Sequence, residues 1–202
     1  MKIQKQKDGL VVAQIPQNLQ SDQQSELPIR QIIAIGLNYA AHAAEQGAKL
    51  PERPMVFTKN IGSLCTEDDS ICLPKACDNE EQVDYEAELA VIIGKTAKNV
   101  SAEEAYDYVL GYTTANDVTA RWWQKLGAGR QFFRGKSFDT FCPLGPKVIS
   151  HSEIGDPQDL RIQTRLNGET MQDSSTSDMI FNIKTLISEL SRDLSLVAGT
   201  VI

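Results

Sequence analysis

The run Val83-Asp84-Tyr85-Glu86-Ala87-Glu88-Leu89-Ala90-Val91-Ile92-Ile93-Gly94 limits the fold of this chain more than any other stretch. Along a strand, residues alternate between two faces with period two. One face carries Asp84, Glu86 and Glu88, then Ala90 and Ile92; the other carries Tyr85, Ala87, Leu89, Val91 and Ile93. The strand starts acidic and ends apolar on both sides, so its far end belongs in a core. Two carboxylates about 6 Å apart repel by roughly 3 kcal/mol at an effective dielectric of about 20. A cation or a shared proton relieves that repulsion. Alternatively the charges face water and discourage edge pairing. The stretch alone leaves a metal site and a solvated face equally open.

The 202 residues suffice for one domain with a sizeable core. A net charge of -7 with no basic stripe argues against nucleic acid and against an anionic membrane surface. No run reaches the roughly 20 apolar residues of a spanning helix. Met1 to Lys7 lacks an apolar signal core, so the expected location is cytoplasmic. Cys65, Cys72, Cys77 and Cys142 show no paired spacing and read as reduced core or loop residues, not zinc ligands or a disulfide framework.

Short strands are expected at 10–15, 31–36, 54–59, 70–74, 83–93, 108–115, 147–149 and 160–166. Pro16 to Pro28 reads as a loop or linker. Asn38 is placed to cap a helix over Tyr39 to Glu45, ended by Gly47. A capping box at Ser101 to Glu104 starts a helical turn. Thr119 to Leu126 reads as a helix, and 131–139 as an aromatic-rich loop or short strand. Asn167-Gly168 is a hairpin turn. Ile183, Leu186, Ile187 and Leu190 recur at helical spacing behind Asn182 as cap. The pattern predicts an α+β, mostly β architecture. Residues 1–29 form an N-terminal strand and linker; 30–202 form the main domain.

His42 and Glu45 lie three apart on one helix face. A carboxylate beside an imidazole raises its basicity and fixes its tautomer, as a water-activating base requires; the plainer reading is a surface pair. Asp117 stands where a strand meets a helix, either as a cap or as a third carboxylate near Glu86 and Glu88. Three carboxylates suit Mg²⁺ and leave positions open for water or substrate. Lys136, between Gly135 and Ser137, can stabilise a developing enolate or donate a proton; as a lone lysine it is a surface charge. Arg121 and Gln124 share a helix face and can grip a substrate carboxylate, or simply face solvent. Trp122 and Trp123 read as packing.

Four blocks in order carry a resemblance: Gly36-Leu37-Asn38-Tyr39-Ala40-Ala41-His42-Ala43-Ala44-Glu45, Asp84-Tyr85-Glu86-Ala87-Glu88-Leu89-Ala90, Asn116-Asp117-Val118-Thr119-Ala120-Arg121 and Gly135-Lys136-Ser137-Phe138-Asp139. From about residue 30 onward the chain resembles the fumarylacetoacetate hydrolase family. Phe138 to Pro146 resembles the branch that includes its domain-containing protein 2 members. The resemblance implies a mixed β-sandwich roll with a few peripheral helices, usually a homodimer. It implies Mg²⁺ or Mn²⁺ held by Glu86, Glu88 and Asp117, with His42 and Glu45 activating water, Lys136 as an electrostatic or acid group, and Arg121 and Gln124 as substrate contacts. The implied substrate is a small dicarbonyl acid. The expected reaction is metal-dependent C–C hydrolysis of a fumarylacetoacetate- or acylpyruvate-like acid. The alternatives are isomerisation or decarboxylation of 2-oxo acids such as hydroxymuconate-type acids or oxaloacetate, or an inactive binding or dimerisation module. Trp122 departs from the family pattern, which has Asp after the arginine. The family is also expected to continue past Ile202 with a strand and a Thr-Gly-Thr-Pro-Ser-Gly-like loop, so a C-terminal truncation is expected.

Overall fold

The computed structural model describes residues 1–15, 25–125 and 127–202. Strands β1 (Ile3–Lys5), β2 (Val11–Gln14) and β3 (Glu26–Pro28) form a small antiparallel sheet. Next come β4 (Gln31–Gly36), helix α1 (Ala40–Glu45), β5 (Met55–Thr58), β6 (Leu64–Cys65), β7 (Val83–Asp84), β8 (Ala87–Ile93), β9 (Val109–Asn116) and β10 (Thr119–Ala120). Helices α2 (Arg121–Lys125) and α3 (Phe132–Gly135) precede β11 (Cys142–Pro143) and α4 (His151–Ile154). The hairpin β12 (Arg161–Leu166) and β13 (Glu169–Ser175), helix α5 (Ile183–Leu190) and β14 (Thr200–Val201) follow.

The central sheet has the order β5-β4-β14-β8-β9, with β14 parallel to β4 and antiparallel to β8. The period-two face assignment holds along β8. Ala90 and Ile92 pack with Ile3, Val11 and Leu27 of the N-terminal sheet. Val91 and Ile93 pack with Ile183, Ile187 and Leu190 of α5. The mixed, mostly β roll with peripheral helices is the expected architecture. α5 is capped by Asn182, whose side chain accepts from the Thr185 N–H. Asn167 and Gly168 both take positive φ in the hairpin turn, as a two-residue hairpin connection demands.

Several local expectations are corrected. The acidic strand breaks in two at Tyr85-Glu86, because side chains take over the backbone there. The Tyr85 N–H donates to Asp84 Oδ1 and the Glu86 N–H to Asn116 Oδ1. Residues 70–74 are not a strand: the Cys72 N–H goes to Thr140 Oγ1 instead of a ladder. Asn38 caps no helix; its side chain exchanges two hydrogen bonds with the Phe181 backbone. Thr119–Ala120 pair with β7 before α2 begins, and 131–139 contain a helix rather than a strand. Residues 147–149 make only isolated bridges. Glu26–Pro28 is a strand within the expected linker; the rest of that linker, 16–24, lies outside the described residues.

Candidate active site

Five elements deliver charged groups to one place. The break before β8 supplies Glu86, and the second residue of β8 is Glu88. The residue after β9 is Asp117, and its N–H donates to the Glu86 carbonyl at 2.9 Å, locking the two segments together. Helix α2 presents Arg121 and Gln124, the residue after α3 is Lys136, and the residue after β5 is Lys59. Gly135 makes this approach possible. A Cβ there would lie 2.9 Å from the Gln124 nitrogen and 3.0 Å from the Ala120 oxygen. With no side chain at 135, α3 packs on the backbone of α2 and sets Lys136 beneath it.

Lys136 is buried, 2% exposed. Its Nζ donates to Glu86 Oε2 at 2.9 Å, Asp117 Oδ2 at 2.5 Å and Thr119 Oγ1 at 2.7 Å. Lys59, equally buried, donates to the other Asp117 oxygen and to the Val118 carbonyl. Arg121 donates through Nε and Nη2 to Asp84 Oδ2 and through Nη1 to Glu86 Oε1 at 2.5 Å and Gln124 Oε1 at 3.1 Å. Burial works against the Asp117 charge, but Lys59 and then Lys136 hold its carboxyl below the ordinary value.

Glu88 is different. Burial first, then Glu86 and Asp117, push its carboxyl well above the usual carboxylate range. Among the described residues no donor hydrogen-bonds to it. Four carboxyls (Asp84, Glu86, Glu88, Asp117) thus face three cations (Arg121, Lys59, Lys136), and Glu88 is the unrelieved one.

This charge pattern tests whether a divalent ion fits. The donor set is all oxygen, as Mg²⁺ and Mn²⁺ prefer, and an unrelieved carboxyl beside two others is where a cation gains most. Among the described residues the three carboxylates are not drawn together as a ligand group, since ammonium groups bridge them. The chemistry of the donors fits such an ion, which would have to displace Lys136 from Glu86 and Asp117.

A groove of about 790 Å³ is lined by Glu86, Glu88, Arg121, Gln124 and Lys136, and also by His42 and Glu45 of α1. His42 Nδ1 is 3.6 Å from Glu45 Oε2, and Gln46 Nε2 is 2.7 Å from His42 Nε2. Both His42 and Glu45 are exposed. The apolar wall comes from Met55, Phe57 and Phe132 and, on the hairpin, Ile162 and Met171. Asp117 faces a smaller inner cavity of about 80 Å³ shared with Lys59, Glu88 and Tyr39. The structure therefore gathers Glu86, Glu88, Asp117, Arg121, Gln124 and Lys136, and sets His42 and Glu45 on the same groove. Sequence reasoning missed Lys59 and Thr119. A lone lysine after a strand and a threonine before a helix carry no signal of their own; only the fold turns them inward.

A mixed β roll with peripheral helices carries this carboxylate and lysine centre beside an open groove. Residues 31–202 match the family described as fumarylacetoacetate (FAA) hydrolase C-terminal, and the chain belongs to that family. It is 48% identical over 177 residues to oxaloacetate tautomerase YisK of Bacillus subtilis, covering 87% of this chain and 58% of that protein. It is 44% identical over 170 residues to the mitochondrial oxaloacetate tautomerase fahd2 of Xenopus laevis, covering 84% of this chain and 52% of that one. The chain thus spans about half the length of the curated relatives it matches. Among solved structures, 5-carboxymethyl-2-hydroxymuconate delta-isomerase of Mycobacterium smegmatis superposes with a TM-score of 0.76 at 33% identity, over 100% of this chain and 86% of that one. The cysteines of this chain are free, and no helix of the described residues is long and apolar enough to cross a membrane.

Proposed function

We propose that this chain carries a tautomerase or isomerase site for 2-oxo acids of the oxaloacetate type, in preference to a C–C hydrolase. The observation that carries the reading is the pair of buried ammonium groups, Lys59 and Lys136, set on the carboxylates beneath an open groove. Moving a proton between carbon and oxygen of a 2-oxo acid passes through an enolate. Such a site needs fixed positive charge where the enolate oxygen forms, and a base that reaches the neighbouring carbon.

In this reading Glu86, Glu88 and Asp117 hold Mg²⁺ or Mn²⁺. When bound, the ion supplies Lewis-acid stabilisation of an enolate oxygen. Lys136 Nζ places its charge at the same oxygen from below. His42, oriented by Glu45 and Gln46, takes and returns the proton at the carbon. Arg121 is largely committed to Asp84 and Glu86, so it steadies the acidic segment and leaves Gln124 to share the contact with the substrate carboxylate. The names of the tautomerase and isomerase relatives support this choice.

Hydrolysis is the second reading, favoured by one observation: the exposed His42–Glu45 pair also suits water activation. Homodimer assembly belongs to the proposal as well, supported by exposed Met55 and Val56 on the edge strand β5. A cytoplasmic location rests on the sequence reading; the Xenopus relative is named as mitochondrial. The test follows the ultraviolet absorbance of enol-oxaloacetate with Mn²⁺ present. The expected result is faster relaxation to the keto–enol equilibrium without pyruvate release. Cleavage of acetylpyruvate with no effect on that relaxation would establish hydrolysis instead.

A further inference from the structure

Tyr39 stands in the same sequence block as His42, yet the reading above gives it no role. Together with Glu88, Tyr39 lines both the open groove and the smaller cavity. Its hydroxyl is one of three buried side-chain polar atoms without a hydrogen-bond partner among the described residues. The other two, Gln82 Oε1 and Thr113 Oγ1, line neither space.

An unsatisfied buried hydroxyl costs about 1–3 kcal/mol, so a protein that keeps one has a use for it. The backbone that carries it is tied on both sides. Tyr39 bridges to Met179, the flanking Asn38 side chain is tied twice to Phe181, and the Ala41 N–H donates to Asp178 Oδ2 at 2.9 Å. The phenol is held with its donor unspent. Burial, then Glu88, then Asp178 raise its ionisation above the ordinary tyrosine value, which keeps the proton on the oxygen. Neighbouring Glu88 is likewise without a donor.

We propose that the Tyr39 hydroxyl is a substrate-binding donor held in reserve, unpaired in the free protein and satisfied by an oxygen of the bound 2-oxo acid. The inference rests on the 2-oxo acid reading. It assigns Tyr39 the end of the substrate's oxygen pair nearest Glu88, while Lys136 serves the Glu86 and Asp117 side. A fixed donor costs no reorganisation when charge builds on the oxygen it faces.

Tyr39→Phe separates this role from a structural one. A hydroxyl with a structural partner stabilises the free protein, so losing it lowers Tm. An unpaired one does not, so the phenylalanine variant is expected to melt at or above the wild-type Tm in the divalent-free state. Oxalate, which presents two adjacent oxygens as a 2-oxo acid enolate does, is the probe. With Mn²⁺ present, calorimetric titration is expected to show oxalate binding weakened about 10-fold in the variant, with Mn²⁺ affinity unchanged. Unchanged oxalate affinity in Tyr39→Phe would overturn the inference and leave the 2-oxo acid reading standing, as would a lowered Tm in the divalent-free variant. Failure of the wild-type protein to bind oxalate with Mn²⁺ would overturn the reading itself and the inference with it.

Discussion

Lys136 is 2% exposed and satisfies three side chains, one from strand β10 and two from connections between strands. Removing one partner of a buried ion pair strands the other charge, at about 3–5 kcal/mol. Lys136→Met is therefore expected to lower the unfolding free energy by about that amount in urea titrations and to abolish turnover. Glu88 gives the pH signature. Its folded-state carboxyl binds its proton more tightly than the ordinary carboxyl at 4.5. Below that value Glu88 is protonated in both states and its contribution is fully present. As pH rises, the unfolded chain ionises first, and stability is lost until the folded carboxyl also releases its proton. With divalent ions stripped, wild type is expected to lose more stability than Glu88→Gln as pH rises above the ordinary carboxyl value of 4.5, read from urea midpoints. Equal slopes would show that Glu88 is not held protonated. Glu86, Glu88 and Asp117 stood out in the sequence as acidic residues in a pattern. Lys136 stood out with them, whereas Lys59 did not, because it is 58 positions from its partner and nothing local marks it.

At the scale of elements, the short packing of α3 on α2 decides where Lys136 sits. Gly135→Ala introduces a methyl against backbone atoms that cannot swing away. Overpacking of this kind costs about 1–3 kcal/mol. The expected outcome is a lower Tm together with reduced kcat, measured on the same preparation; unchanged kcat would separate α3 packing from the site. Element type was readable wherever hydrophobic period was strong, as at β8, β9, β12 and α5. It failed where side chains replaced backbone partners. Asn116 and Asp84 break the acidic strand at Glu86, and Asn38 leaves the helix end to hold Phe181. Period cannot reveal such exchanges, because they depend on residues brought close only by the fold. α3 escaped notice for another reason: four residues, two of them phenylalanines, look the same in a short helix and a short strand.

For the whole molecule, two cores on opposite faces of one mixed sheet hold the acidic segment rigid, so the carboxylates cannot spread apart to escape one another. The architecture was legible from many short strands with few helices, while strand order was not: β14, last in sequence, lies between β4 and β8. The edge strand β5 leaves Met55 and Val56 exposed in one chain. Val56→Lys is expected to shift sedimentation equilibrium from dimer to monomer; an unaltered distribution would place any interface elsewhere. The central claim is that Glu86 and Asp117 trade their ammonium partners, and Glu88 its proton, for one divalent ion. It is tested most directly by titrating Mn²⁺ into the protein and following the signal of free Mn²⁺ by electron paramagnetic resonance. One bound ion per wild-type chain, with binding lost in Glu88→Gln and in Asp117→Asn, is the predicted result. No saturable binding by wild type, or equal binding by all three proteins, would contradict it.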